Sequence, residues 1–411
     1  MGGAGVAAKR LHLALLDTGV DSHLLTLVKL GEDIPKHAVW QAKKGPTKRL
    51  AEKVSYLSKR IFPFLKNDLR QYYLRGQKKG FEHFSFPYSE NQIELHEWVK
   101  EADIIHLHWV ADGMIDFMNF FKEVQKPIVW TLHDMNPFTG GCHHSDNCME
   151  FALSCVNCEQ VKGTADEYIA MRNLSYKLKS FQENKPDVSI VTPSKWLGNL
   201  SAKSRLFRNY PHYVIPNLSN DDIFRPGDRK ELRRLLNIPA NAFVLLFVAN
   251  DVDNPRKGIR LLLEAVSKCS LPNLFLATAG REIDPKAVPL PIHQFGFVTS
   301  EEKMRELYAM ADAFVLPSLA ENFPNTIVEA LLCGTPVVAH KVGGITEQVN
   351  EKNGILVTPG SITELTAAIE TVARAQYDKM MIRQDALNHY AGKEIVNKHI
   401  ELYQRLKGKQ A

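Results

Sequence analysis

Doubly wound α/β domains built on parallel sheets are predicted by three observations. Short apolar runs of strand type recur between longer amphipathic stretches. The runs are continuous rather than alternating, so both faces of each sheet are covered. The chain has 411 residues, which at about 150 per domain leaves room for two or three domains. Strands that alternate with helices at this spacing pair in parallel.

The elements follow in order. Residues 6–16 make a helix, with Val6, Ala7, Leu11, Ala14 and Leu15 on one face, and residues 24–28 read as the next strand. Further strands are expected at 104–107, 128–132, 188–191, 243–248, 274–279, 313–316 and 337–339. They are β-branched or aromatic and end at Gly, Pro, Asp or His. Leu261, Leu262, Ala265 and Val266 form one helical stripe, and Met304, Leu307, Tyr308 and Ala311 another. Breaker residues crowd 215–230, including Pro216, Asn217, Asn220, Pro226 and Gly227, so the interdomain linker is placed there. The expected division is an N-terminal domain over 1–214, the linker at 215–230, and a C-terminal domain over 231–388. A last helix follows within 389–411, carrying Ile395, Val396, His399, Ile400 and Tyr403 on one face.

Composition excludes several classes. The chain is 45% hydrophobic and 24% charged, which is ordinary for a globular protein and unlike disordered or collagenous chains. A net charge of +5 is too small to imply nucleic acid. No apolar run approaches the roughly 20 residues of a spanning helix. No secretory leader is legible after Met1, so a cytoplasmic setting is expected. There, cysteines are free thiols or metal ligands more often than bridges.

The chemistry concentrates in 316–336. A strand runs into a loop carrying Glu321, then Pro324, then a helix carrying Glu329, then Gly334. Proline suits a helix start and glycine the position after its end. Glu321 would lie beyond a strand's carboxyl end, where open α/β sheets bind ligands. Free amides at the helix start suit a phosphate or sugar oxygen.

Glu321 and Glu329, framed by Pro317-Ser318 and by 330–338, resemble the signature of family 4 retaining glycosyltransferases. The resemblance extends to 342–347, 353–357, 191–196, 215–217 and 224–226. It also includes 105–109 (Ile-His-Leu-His-Trp) and 130–134 (Trp-Thr-Leu-His-Asp). The latter segments are similar to those of enzymes that build bacterial cell-surface and exopolysaccharides. Only about 35–95 falls outside it. It implies the GT-B fold, two Rossmann-like domains facing across a cleft, with the last helix returning to the N-terminal domain. It implies a nucleotide-diphosphate hexose donor, UDP-linked, bound in the C-terminal domain. A glycan or polyprenyl-linked acceptor would be bound in the N-terminal domain, with anomeric retention. On this basis Glu329 would bond the nucleotide ribose. Glu321 would hold the donor sugar with the backbone around Asn322, Phe323, Pro324 and Asn325.

Lys257 matches the family's phosphate-binding lysine, and Arg256 beside it adds a bidentate grip. One departure stands out: Ala249-Asn250 occupies the place of the family's Gly-Arg. Asp251-Val252-Asp253 could hold a divalent cation on a diphosphate, but its neighbours fit a metal-independent enzyme, so no cofactor is expected for catalysis. His133 matches a histidine that faces the donor sugar. Gly3, in the stretch Gly2-Gly3-Ala4-Gly5 that opens the first helix, would let amides approach the phosphate or the acceptor. Two other functions remain open: a sugar-nucleotide epimerase of the same fold, and a non-catalytic sugar-nucleotide sensor, which the Asn250 departure would suit.

Cys142, Cys148, Cys155 and Cys158 fall within seventeen positions. They could form a structural zinc site, with His143 and His144 as substitutes, or remain free thiols, or pair as disulfides. Residues 36–79 carry thirteen Lys/Arg against Glu52 and Asp68, with Tyr56, Phe62, Phe64, Tyr72 and Tyr73 interleaved. Such a stretch either docks on an anionic membrane or is a solvated insertion. Finally, the family has an apolar strand where this sequence has only Met1 before Gly2. That implies either a start codon assigned too late or a truncated, weakly folded product. Coding sequence for an apolar strand in frame upstream of Met1 is the expected result; a stop codon immediately upstream contradicts the first explanation.

Overall fold

A computed structural model describes residues 2–30, 33–40, 73–75, 77, 83–252 and 254–408. The chain divides into two compact units. One comprises Val20–Val191 with Asn199–His212, and the other Met1–Gly19 and Thr192–Gly198 with Tyr213–Lys409.

Helix α1 (Gly3–Asp17) opens the chain and buries Ala7, Leu11 and Leu15. Gly2 is its cap, so the rest of the glycine-rich stretch forms the first helical turn. In the first unit β1 (Leu24–Thr26) pairs in parallel with β2 (His37–Val39) as a separate two-stranded sheet. A four-stranded sheet follows in the order β3 (Ile105–Leu107), β4 (Ile128–Thr131), β5 (Val188–Thr192), β6 (His212–Val214). The β3–β4 and β4–β5 pairs are parallel. β4 and β5 are buried along their whole length, as their unbroken apolar runs require. Helices α2 (Phe117–Glu123) and α3 (Ile169–Asn184) pack on this sheet through Phe117, Phe121 and Phe181, and Phe121 lies 5.8 Å from the Trp130 ring.

The second unit holds α4 (Arg229–Leu235), β7 (Phe243–Ala249), α5 (Ile259–Ser267), β8 (Leu274–Gly280), β9 (Ile292–Gln294), α6 (Glu301–Met310), β10 (Ala313–Leu316), α7 (Asn325–Leu332), β11 (Val337–His340), β12 (Gly354–Val357), α8 (Ile362–Arg374), α9 (Lys379–Tyr390) and α10 (Gly392–Lys407). Its six strands are all parallel, in the order β12-β11-β10-β7-β8-β9. Read from β9 this is the Rossmann order, and the chain reverses direction between β7 and β10. One core of Leu246, Phe314, Ile327 and Leu331 lies on one face of the sheet, and another of Leu245, Leu262, Val315 and Ile369 on the other.

Three further segments group with the second unit. Helix α1 groups with the second unit, where Arg10 on it forms buried ion pairs with Glu329 and Glu301. Residues 192–198 and the linker also cluster there. Ser194 donates to Asn322, and Asn217 donates to Asn325. The last helix lies within the same unit and buries Ile395, Val396, His399, Leu402 and Leu406, while Ile400 and Tyr403 are only partly covered.

Candidate functional site

The switch point of the second unit gathers the charged residues. After β7 the chain makes a short turn over Pro255–Lys257, capped by Asn254, whose side chain accepts from the Arg256 amide at 2.9 Å. Gly258 follows at φ +74°, and any Cβ there would stand 2.0 Å from the Pro317 carbonyl oxygen. Only glycine lets this turn lie against the loop that leaves β10. Arg256 and Lys257 are thereby brought to Glu321. Lys257 Nζ donates to Glu321 Oε1 at 2.6 Å, and Arg256 Nη1 to the same oxygen at 3.1 Å and to the Ala320 carbonyl at 2.7 Å. Two cations thus share one carboxylate oxygen at the sheet's carboxyl edge.

The loop holding Glu321 is fixed from several directions. Gly343, at φ +51°, lies so close to the Glu321 carbonyl that a Cβ would meet it at 1.8 Å. Asn322 is buried and accepts from Ser194 Oγ at 2.7 Å. The Phe323 ring sits edge-on to Tyr390 at 5.8 Å. The Pro324 carbonyl accepts from Gln348. Asn325 opens α7 and donates to the Gly3 carbonyl at 3.3 Å. A Cβ on Gly3 would meet only the Asn325 amide nitrogen, at an ordinary 4.0 Å, so packing does not demand glycine there. Glu329, one turn on, is buried; its Oε1 accepts from Arg10 at 2.8 Å and its Oε2 from the Tyr308 hydroxyl at 3.0 Å. Of the acidic pair considered as a cation site, Asp251 is exposed and pairs with Arg281 at 3.4 Å; Asp253 lies outside the described residues.

The first unit carries a separate polar cluster beyond β3 and β4. His133 remains partly accessible to solvent but is crowded by protein, and its Nε2 lies 3.0 Å from His108 Nδ1. Burial pushes its pKa down to about 4 against the opposing pull of Asp134, so it is neutral near pH 7. Asp134 is buried. It accepts from Trp109 at 2.8 Å, from His143 Nδ1 at 2.7 Å and from the Asn136 amide at 2.9 Å. Burial would raise its pKa, but His143 and these donors hold it below the ordinary value. His143 Nε2 lies 2.8 Å from Ser85 Oγ, which donates to Asp112. A small cavity opens here, lined by His108, Trp109, Thr131, His133 and Asp134.

The thiols of Cys142, Cys148, Cys155 and Cys158 lie near enough to influence one another electrostatically. Among the described residues no group of three or more His, Cys, Asp or Glu side chains is arranged to hold a metal ion. Cys142, Cys148, Cys155 and Cys158 are all free thiols. Burial pushes the Cys142 and Cys158 thiols up and that of Cys155 to about 12. His143, considered as a substitute ligand, is instead spent on Asp134 and Ser85. Several residues of these clusters had no sequence-based functional role: Arg10, Tyr308, His108 and Asp134. His108 and Asp134 lie inside the 105–109 and 130–134 motifs, which could have flagged them. Arg10 and Tyr308 carry no motif.

The histidines set a pH dependence of stability. His399 on α10 is also held near pKa 4 by burial. Unfolded histidine titrates near 6.5, so both folded pKa values are depressed. The stabilisation is complete above pH 6.5 and is lost as pH falls from there toward 4, because only the unfolded chain takes up protons in that window. Each histidine contributes up to about 3 kcal/mol across it. Thermal melts between pH 7.5 and 5 should show a falling midpoint that His399→Leu flattens. A midpoint indifferent to pH would contradict this.

Comparison with known proteins agrees with this architecture. Residues 242–375 match the family model described as glycosyl transferases group 1. A D-inositol 3-phosphate glycosyltransferase from Geodermatophilus obscurus is 34% identical over 290 residues, which is 66% of this chain and 59% of the relative. The relative of that type from Catenulispora acidiphila is 25% identical over 311 residues, 70% of this chain and 66% of the relative. The chain thus spans about three-fifths of the length of such relatives. Among solved structures, Anabaena HepE in complex with UDP-glucose aligns at 19% identity and TM-score 0.64, covering 98% of this chain and 96% of that one. A sucrose-phosphate synthase from Thermosynechococcus elongatus aligns at 20% identity and TM-score 0.66, covering 99% and 94%. The second unit of this chain therefore carries a glycosyl transferases group 1 domain, in a protein of GT-B fold.

Proposed function

We propose that the protein transfers a hexose from a nucleotide-diphosphate sugar, UDP-linked, to a glycan or lipid-linked glycan, with retention of configuration, in surface polysaccharide synthesis. The observation that carries this reading is the convergence of Arg256, Lys257 and Glu321 at the β7/β10 switch point, with Glu329 on the helix that follows. Breaking a glycosyl–phosphate bond builds negative charge on the leaving diphosphate, and fixed cations aimed at that charge are the largest catalytic contribution expected. Arg256 and Lys257 supply them, relinquishing Glu321 as the diphosphate arrives. Glu321 and the backbone of 322–325 then hold the donor sugar, and Glu329 takes the ribose. His133, kept neutral, can accept or donate a hydrogen bond without bringing a full charge. The structures of HepE with UDP-glucose and with UDP support the donor class by analogy of fold.

Incubation with a panel of nucleotide sugars and lipid-linked acceptors, in chelator, should give transfer from a UDP-hexose, with the product anomer read by NMR. Binding of donors without turnover would favour a sensor. Interconversion of free sugar nucleotides would favour an epimerase.

The basic segment 36–79 lies almost wholly outside the described residues, and no described helix is long and apolar enough to cross a membrane. We propose that this segment holds the enzyme peripherally on the anionic inner face of the plasma membrane, beside a lipid-linked acceptor. Co-sedimentation with vesicles should rise with anionic lipid and fall with salt. Sedimentation indifferent to both would reject docking.

A further inference from the structure

Arg10 stands out among the groups that the proposed reaction leaves unused. It lies on α1, is 6% exposed, and its guanidinium sits 5.2 Å over the Phe224 ring. Nε donates to Glu301 at 2.7 Å and Nη2 to Glu329 at 2.8 Å. Nη1 is buried and has no partner among the described residues. Burial works against the charge, but Glu329 and Glu301 more than offset it and hold the pKa above the ordinary arginine value. A fixed positive charge is therefore locked beside Glu329.

A carboxylate offers about four acceptor sites, two on each oxygen. In Glu329 one site on Oε1 is taken by Arg10 and one on Oε2 by Tyr308. Tyr308 is fully buried, with its pKa raised well above the ordinary value by burial and by Glu329, so its hydroxyl stays a donor. One acceptor site remains on each oxygen. Two neighbouring acceptors match two neighbouring hydroxyl donors, which is what the 2′- and 3′-hydroxyls of a ribose present. The match requires an ionised carboxylate in one rotamer. Arg10 supplies the compensating charge without which a buried carboxylate is costly, and with Tyr308 it fixes the rotamer.

We propose that Arg10 is a positioning residue of the nucleotide site, acting through Glu329 to set both the affinity for the ribose and the preference for a 2′-hydroxyl. The proposal rests on the reading that Glu329 takes the ribose. Its α1 location gives the first helix a part in donor recognition that no feature of the Glu321-to-Glu329 motif announces.

The test compares UDP with 2′-deoxy-UDP by calorimetry in wild type, Arg10→Met, Arg10→Lys and Glu329→Gln, with thermal midpoints measured alongside. Wild type should prefer UDP by about tenfold or more, the effect of one hydrogen bond to a charged group. Arg10→Met should weaken UDP binding by roughly 10- to 100-fold and bring the preference close to one. Arg10→Lys, which keeps the charge, should restore part of it. With a donor in hand, KM should rise while kcat changes little. A folded Arg10→Met that keeps the wild-type preference overturns the role of Arg10. If that variant fails to fold, Glu301→Gln frees one edge of Arg10 and should shift the preference in the same direction; an unchanged preference there overturns the proposal. A wild type that ignores the 2′-hydroxyl, or a Glu329→Gln that keeps the preference, overturns the ribose reading itself and Arg10 with it.

Discussion

Glu321→Ala is expected to lower turnover at least ~100-fold, the size of a lost transition-state contact, while the protein remains folded. The loop does not depend on this carboxylate for its shape. Asn322 bonded to Ser194, Gly343 packed on the Glu321 carbonyl and Phe323 against Tyr390 all survive the substitution. What changes is the order around Lys257 and Arg256, which lose the oxygen they share. Without that oxygen they should bind the free diphosphate no worse than before, so the loss should appear in kcat. Glu321→Gln separates charge from hydrogen bonding, and a loss of similar size would assign the effect to charge. Steady-state kinetics with near-normal kcat in both variants would remove Glu321 from the reaction.

Lys257→Met is expected to cost about 100- to 1000-fold in kcat, because it deletes one of the cations available to a developing dianion. The family's usual arginine directly after this strand is absent here; Ala249 ends β7 and Asn250 follows. On the proposed reading Arg256 and Lys257 take over the diphosphate, so removing one should hurt more than where three basic groups share the charge. A Lys257→Met enzyme within tenfold of wild type would mean that the leaving group is stabilised elsewhere.

The strands at 128–132, 188–191, 243–248, 274–279 and 313–316 were legible because a fully covered parallel strand needs an unbroken apolar run. The edge and outer strands His212–Val214, Ile292–Gln294 and Gly354–Val357 were not, since they are three or four residues long and only partly buried. Motifs scattered along the chain, at Ser194, Asn217, Gly343, Gly344 and Glu347, turn out to share a purpose. They brace the Glu321 loop or its supports: a Cβ on Gly344 would strike the Asn322 carbonyl at 2.0 Å, and Glu347 accepts from the Lys195 and Trp196 amides next to Ser194. The surroundings of α1 were less legible. Its apolar stripe of Ala7, Leu11 and Leu15 specifies a helix with a covered face but not what covers it, and Arg10, a charged group that reads as solvated, is buried between two carboxylates. Close spacing of the four cysteines in sequence corresponds to thiols that influence one another in the fold, although among the described residues no metal-holding group of three or more is formed.

The central claim is that the second unit binds a nucleoside diphosphate through Arg256 and Lys257. Calorimetric titration of wild type and Lys257→Met with uridine, UMP and UDP tests it most directly. The account predicts that affinity rises from uridine to UDP in wild type, and that Lys257→Met loses most of that rise while leaving the uridine contribution unchanged. Equal affinity for the three ligands in wild type, or an equal loss for all three in the variant, would contradict it.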